Sequence, residues 1–94
     1  MRLRRPEQKQ APLPVTLYTR QGCGLCLQAT DALRRISRRT PLLVTEVDID
    51  SDDALQRRYF MEIPVIVVDG EEIARAPIIE PVLAEILADL AAAR

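Results

Sequence analysis

Tyr18-Thr19-Arg20-Gln21-Gly22-Cys23-Gly24-Leu25-Cys26 decides how the rest of this chain is read, because it holds both cysteines at a junction between two patterns. Before it, Val15 to Thr19 alternates and is rich in β-formers, which predicts a strand. After it, from about Gly24 to Arg38, Cys26, Ala29, Leu33 and Ile36 recur at spacings of three, four and three. That spacing predicts a helix with one apolar face. Two thiols three residues apart on a first helical turn can close a disulfide on each other. The unpaired amides of that turn amount to about half a positive charge and stabilise a nearby anion by about 0.3 to 2 kcal/mol, so the thiolate is favoured there. The amides of Leu25 and Cys26 are in reach as donors to the Cys23 sulfur, and Arg20 adds charge nearby.

The two sulfurs are not equivalent on this reading. Cys26 lies on the apolar face and points inward, whereas Cys23 sits one turn earlier, at the helix mouth, with no preceding turn to cover it. Cys23 is therefore expected as the attacking thiol and Cys26 as the resolving thiol. Three other uses of the pair carry less. As a structural staple, so short a loop contributes only about 2 kcal/mol. A zinc site usually takes four ligands, and the chain has no second cysteine pair and no histidine, so no metal is expected unless another chain supplies ligands. As two small core residues, the cysteines would not need Gly22 and Gly24 beside them, which suit a tight exposed turn.

Ninety-four residues suit one small domain, and a hydrophobic share of 48% is enough for a core. Aliphatic side chains supply nearly all of it, since the aromatics are Tyr18, Tyr59 and Phe60. The formal net charge of -1 gives no nucleic-acid footprint, and no nucleic acid is expected as a partner. Charge is nonetheless clustered, with Arg34, Arg35, Arg38 and Arg39 at the predicted helix end and Asp48, Asp50, Asp52 and Asp53 further on. Cations suit a helix C-terminus, and Asp52 and Asp53 suit the first turn of a following helix behind a Ser51 cap. Arg2, Arg4, Arg5 and Lys9 make a basic arm, and with Pro6, Pro12 and Pro14 they make residues 1–14 an expected mobile tail before a domain over 15–94. No run resembles a signal-peptide core or approaches the roughly 20 apolar residues of a membrane span. The expectation is a soluble, cytoplasmic monomer with no membrane partner. In a reducing compartment a lone close cysteine pair is more often catalytic or metal-binding than a permanent crosslink.

The remaining pattern orders the elements. Pro41 ends the first helix, and Leu42 to Asp48 is a second strand with Leu43, Thr45, Val47 and Ile49 on one side. A short helix from Ser51 to about Phe60 buries Leu55 and Tyr59. Val65 to Val68 is a continuous apolar run, expected in the middle of a sheet. Asp69-Gly70 is a hairpin turn into a fourth strand, Glu72 to Arg75. Val82, Leu83, Ile86, Leu87 and Leu90 then recur at helical spacing behind Pro81.

With the order βαβαββα, the motif at 18–26, Ile63-Pro64-Val65 and Val68-Asp69-Gly70, the chain resembles the thioredoxin superfamily and more closely its glutaredoxin-like members. The resemblance covers roughly residues 15 to 90. It implies an α/β fold of the thioredoxin-like (glutaredoxin-like) type, with a four-stranded mixed sheet, helices on both faces, and the third strand antiparallel beside the first. It implies that Pro64 follows a cis peptide bond and faces Cys23 across the site, and that the backbone of Ile63 forms a docking edge for an extended substrate. It makes Arg20 a contact for a glutathione carboxylate. The activity implied is that of a thiol-disulfide oxidoreductase acting on protein or small-molecule disulfides, with no bound cofactor and with glutathione or a thioredoxin-reductase-type protein as reductant. Two departures leave the reductant open: Ala74-Arg75-Ala76-Pro77 stands where glutaredoxins carry Gly-Gly and an acid, and Gly22 and Leu17 stand where thioredoxins carry a tryptophan and a buried acid. A non-catalytic alternative is a binding module, either a metal or iron-sulfur carrier at a dimer interface or a redox-silent adaptor.

Overall fold

Alternation in the first strand builds one half of the core. In the computed structural model, which describes residues 11–94, β1 (Leu13–Thr19) buries Leu13, Val15 and Leu17 and turns Pro14 and Thr16 away from them. The strand begins two residues earlier than the tail expected over residues 1–14 allows, because Leu13 pairs with Leu42 and is buried. A buried leucine that also joins the ladder belongs to the domain; residues 1–10 of the expected tail lie outside the described residues. Helix α1 (Gly24–Ile36) lays Cys26, Ala29, Leu33 and Ile36 on the core, and Ala32 joins them. It ends two residues short of the expected Arg38, in a turn where the amides of Arg38 and Arg39 donate to the carbonyls of Arg35 and Ile36.

The chain returns as β2 (Leu42–Asp48), passes a 3-10 turn at Ile49–Ser51 and enters α2 (Asp53–Tyr59). The cap of α2 is Asp52 rather than Ser51: the Asp52 carboxylate accepts from the Ala54 amide at 2.8 Å, while the Ser51 hydroxyl donates to the Asp48 carbonyl at 2.7 Å. Both residues are cap formers, and the 3-10 turn uses up Ser51. Then come β3 (Val65–Val68), a turn with Asp69 at φ 52° and Gly70 at φ 79°, β4 (Glu71–Arg75) and α3 (Glu80–Ala92). Two successive positive φ values are those of the Asp-Gly hairpin the sequence predicts.

The sheet order is β2-β1-β3-β4, with β1 parallel to β2, antiparallel to β3, and β3 antiparallel to β4. This is the mixed sheet of a thioredoxin-like fold. On one face Leu13, Val15, Leu17, Ile66 and Val68 meet Leu33 and Ile36 of α1 and Leu83 and Leu87 of α3. On the other, Val65 and Val67 meet Ile49, Leu55 and Tyr59, and Tyr18 stacks on Tyr59 with centroids 4.6 Å apart. The first helix is tied to the last by Arg35, whose guanidinium donates to the Glu80 carboxylate at 2.7 to 3.2 Å. Two apolar expectations change in the structure. Leu43 is 60% exposed because β2 is an edge, and Val82 is exposed because α3 presents Leu83 and Leu87 to the sheet instead.

Candidate functional site

The parallel pair β1·β2 ends together at Thr19 and Asp48, so the loop that follows β1 and the turn that follows β2 lie at the same end of the sheet. Arg20 comes one residue after β1 and Asp50 two residues after β2. Arg20 Nε and Nη2 donate to the two Asp50 oxygens at 2.9 and 2.8 Å, a bidentate pair, and the Gln56 amide donates to Oδ1 as well. These hydrogen bonds, the one from Arg20 foremost, hold the Asp50 carboxyl below the usual carboxylate range, and the Asp50 carboxylate raises Arg20 further above its own. The same guanidinium lies 5.8 Å from the ring centroid of the exposed Phe60.

Gly22 then turns the chain at φ 77°, a conformation that is costly for an L-residue, and delivers Cys23 to the position just before α1. Cys23 is the N-cap. Its backbone is extended, its carbonyl accepts from the amides of Cys26 and Leu27, and its Sγ accepts from the Cys26 amide at 3.1 Å. A sulfur therefore occupies the place where a cap oxygen usually satisfies an orphan amide. Of the two amides expected to reach it, that of Cys26 does so. Cys23 is half-buried, Cys26 is 2% exposed, and the two are joined in a disulfide with their Cα atoms 5.2 Å apart.

A cleft of about 450 Å³ opens beside this disulfide, walled by Arg20, Cys23, Cys26, Thr30, Glu46 and Asp48. The Thr30 hydroxyl sits between the Cys26 carbonyl at 3.1 Å and Glu46 Oε2 at 3.2 Å, which ties α1 to β2 behind the sulfurs. Cys23, Cys26 and Arg20 thus share one cavity. Ile63 and Pro64 do not line it. They enter from the opposite side of β1, where Val65 pairs with Tyr18. The Ile63–Pro64 bond is cis, as is Ala76–Pro77, and the Pro64 carbonyl accepts from the Ala76 amide at 3.0 Å. Ile63 takes no part in the strand pairing, which begins at Val65. Asp50, Glu46 and Thr30 escape a reading by motif; aligning the ends of two parallel strands is the signal that puts Asp50 beside Arg20. Among the described residues no cluster of three or more Cys, Asp or Glu is placed to hold a metal, and no helix is long and apolar enough to cross a membrane.

The model of the Glutaredoxin-like domain (DUF836) family matches residues 14–88. Among solved structures, the chain is similar to the structural genomics target protein XcR50 from X. campestris, at 36% identity over 80% of this chain and 96% of that one, with a TM-score of 0.68. Protein Ne2328 from Nitrosomonas europaea is 25% identical over 82% of this chain and 93% of its own, with a TM-score of 0.71. A thioredoxin from Halobacterium salinarum shares the fold at 20% identity, covering 84% of this chain and 74% of that one, with a TM-score of 0.63. No curated protein matches the chain.

Proposed function

This chain belongs to the Glutaredoxin-like domain (DUF836) family, and we propose that within it the protein is a thiol-disulfide oxidoreductase whose nucleophile is Cys23. One observation carries the reading: the Cys23 sulfur is the cap of α1, hydrogen-bonded by the Cys26 amide, and its partner is buried. In the reduced chain the Cys23 thiolate attacks one sulfur of a substrate disulfide, forming a mixed disulfide and releasing the other substrate sulfur as a thiolate. The Cys26 thiol then loses its proton and attacks Cys23 Sγ. The second substrate sulfur leaves, and two electrons have passed from the dithiol to the substrate. What remains is the Cys23–Cys26 disulfide. Sulfur carries the electrons, so the cycle asks for no bound cofactor.

Arg20 is the substrate-binding cation of this proposal. Its bidentate pair with Asp50 occupies one edge of the guanidinium and leaves three N–H groups, and the side chain also walls the cleft at the disulfide. Ile63 supplies the backbone edge on which an extended substrate segment pairs, next to Pro64. The proposed setting is the cytoplasm, where a reductant is at hand. Glutathione and a thioredoxin-reductase-type protein are the two candidates. Reduction of a protein disulfide is followed in parallel with glutathione plus its reductase and with thioredoxin reductase. The protein is expected to turn over with one of the two systems, and Cys23→Ser with neither. Absence of turnover in both, or turnover by Cys23→Ser, contradicts the proposal.

A further inference from the structure

The two edges of the sheet are built differently. At one edge, β4 carries Glu71, Glu72 and Arg75, and its pairing with β3 shifts register between Ile66 and Val67. Charges and irregular register are what keep an edge from pairing with another chain. At the other edge β2 pairs with β1 in unbroken register over its whole length and contains neither proline nor lysine. Its middle is apolar and open, with Leu43 60% and Val44 36% exposed. A seven-residue edge strand whose middle is apolar and open is a template for a further strand.

Charge decides which strand. Arg38 and Arg39 stand just before β2, Glu46 and Asp48 stand at its far end, and Arg34 and Arg38 line a groove of about 420 Å³ between α1 and β2 together with Leu42, Val44 and Glu46. A strand that is basic where it starts and acidic where it ends is complementary to its own reverse. We propose that this chain forms a homodimer in which β2 pairs antiparallel with β2 of a second copy about a two-fold axis at Val44, joining two four-stranded sheets into one. In this register Val44 meets Val44, Leu43 meets Thr45 and Leu42 meets Glu46. Leu42, Val44 and Glu46 share the face that carries α1, so Glu46 of the second copy arrives beside Arg38, and the contact occurs twice. Glu46 and Asp48 also wall the cleft at the disulfide, so the basic end of the second copy lies next to that cleft. The dimer replaces the monomer expected from the sequence and does not depend on the proposed activity.

The test is sedimentation velocity of the full chain from about 1 to 300 µM, with circular dichroism to check that each variant is folded. A reversible monomer–dimer equilibrium is expected. Arg38→Glu and Glu46→Arg should each raise the dissociation constant about tenfold or more, and the double variant should restore it to within about threefold. Val44→Lys sets two ammonium groups together at the axis and should leave only monomer. A chain that is monomeric throughout, a dimer indifferent to all three substitutions, or a double variant no better than the singles overturns the proposal. So does dimerisation that appears only when residues 1–10 are removed, since those residues would then be the occupant of the edge.

Discussion

Gly22 and Gly24 flank the same cysteine and do opposite things. Neither would meet a neighbour with an added Cβ, so the backbone alone decides. At φ 77° Gly22→Ala should cost about 1 to 2 kcal/mol, whereas Gly24→Ala, inside the first turn of α1, should stabilise by about 0.4 to 1 kcal/mol. Thermal melts of the two variants are expected to move in opposite directions, and a shared sign contradicts the account of the turn. The Arg20–Asp50 pair makes a second prediction here. Because the folded chain holds the Asp50 carboxyl below its usual range, the stability it contributes is complete above the ordinary carboxylate pKa near 4 and is lost as pH falls through the lower folded value. Asp50→Asn should therefore lower the melting temperature at pH 7, and the difference should shrink as pH falls below the ordinary carboxylate range. A loss that does not change with pH would mean that the pair contributes no ionic stabilisation.

Among the elements, α1 bears the heaviest duty, since one helix carries the core face and the sulfur. Leu33 is buried between the sheet and that helix, and Leu33→Ala should cost about 2 to 5 kcal/mol in denaturant unfolding. The cap of α2 gives a finer contrast: Asp52→Ala should cost about 0.5 to 2 kcal/mol and Ser51→Ala less, the reverse of what the Ser51 cap expected from sequence requires. These elements also show what the chain's own pattern could reveal. The apolar face Cys26, Ala29, Leu33 and Ile36, the central strand at Val65–Val68 and the Asp69-Gly70 turn were legible because each rests on a local period or a backbone preference. The exposure of Leu43 was not, since whether a strand is an edge depends on partners thirty residues away. The Arg20–Asp50 pair was hidden for the same reason. It exists because two parallel strands end in step, and neither residue advertises the other.

At the scale of the whole molecule, the sheet separates two cores and gathers the chemistry at one end. The larger core holds α1 and α3 on one face, the smaller holds Tyr18, Tyr59 and Val65 on the other, and β1 passes between them to deliver the cysteine loop. Neither sulfur is placed by the loop alone. Cys26 is fixed by its burial on the apolar face of α1 and Cys23 by the cap it makes, so the two thiols are unequal. Intact-mass spectrometry of the reduced Cys23→Ser and Cys26→Ser variants, after exposure to a protein disulfide, reads that inequality. A persistent mixed disulfide is expected on Cys26→Ser, through Cys23, and none on Cys23→Ser; equal trapping by both, or trapping through Cys26 alone, would overturn the assignment of Cys23 as the attacking thiol.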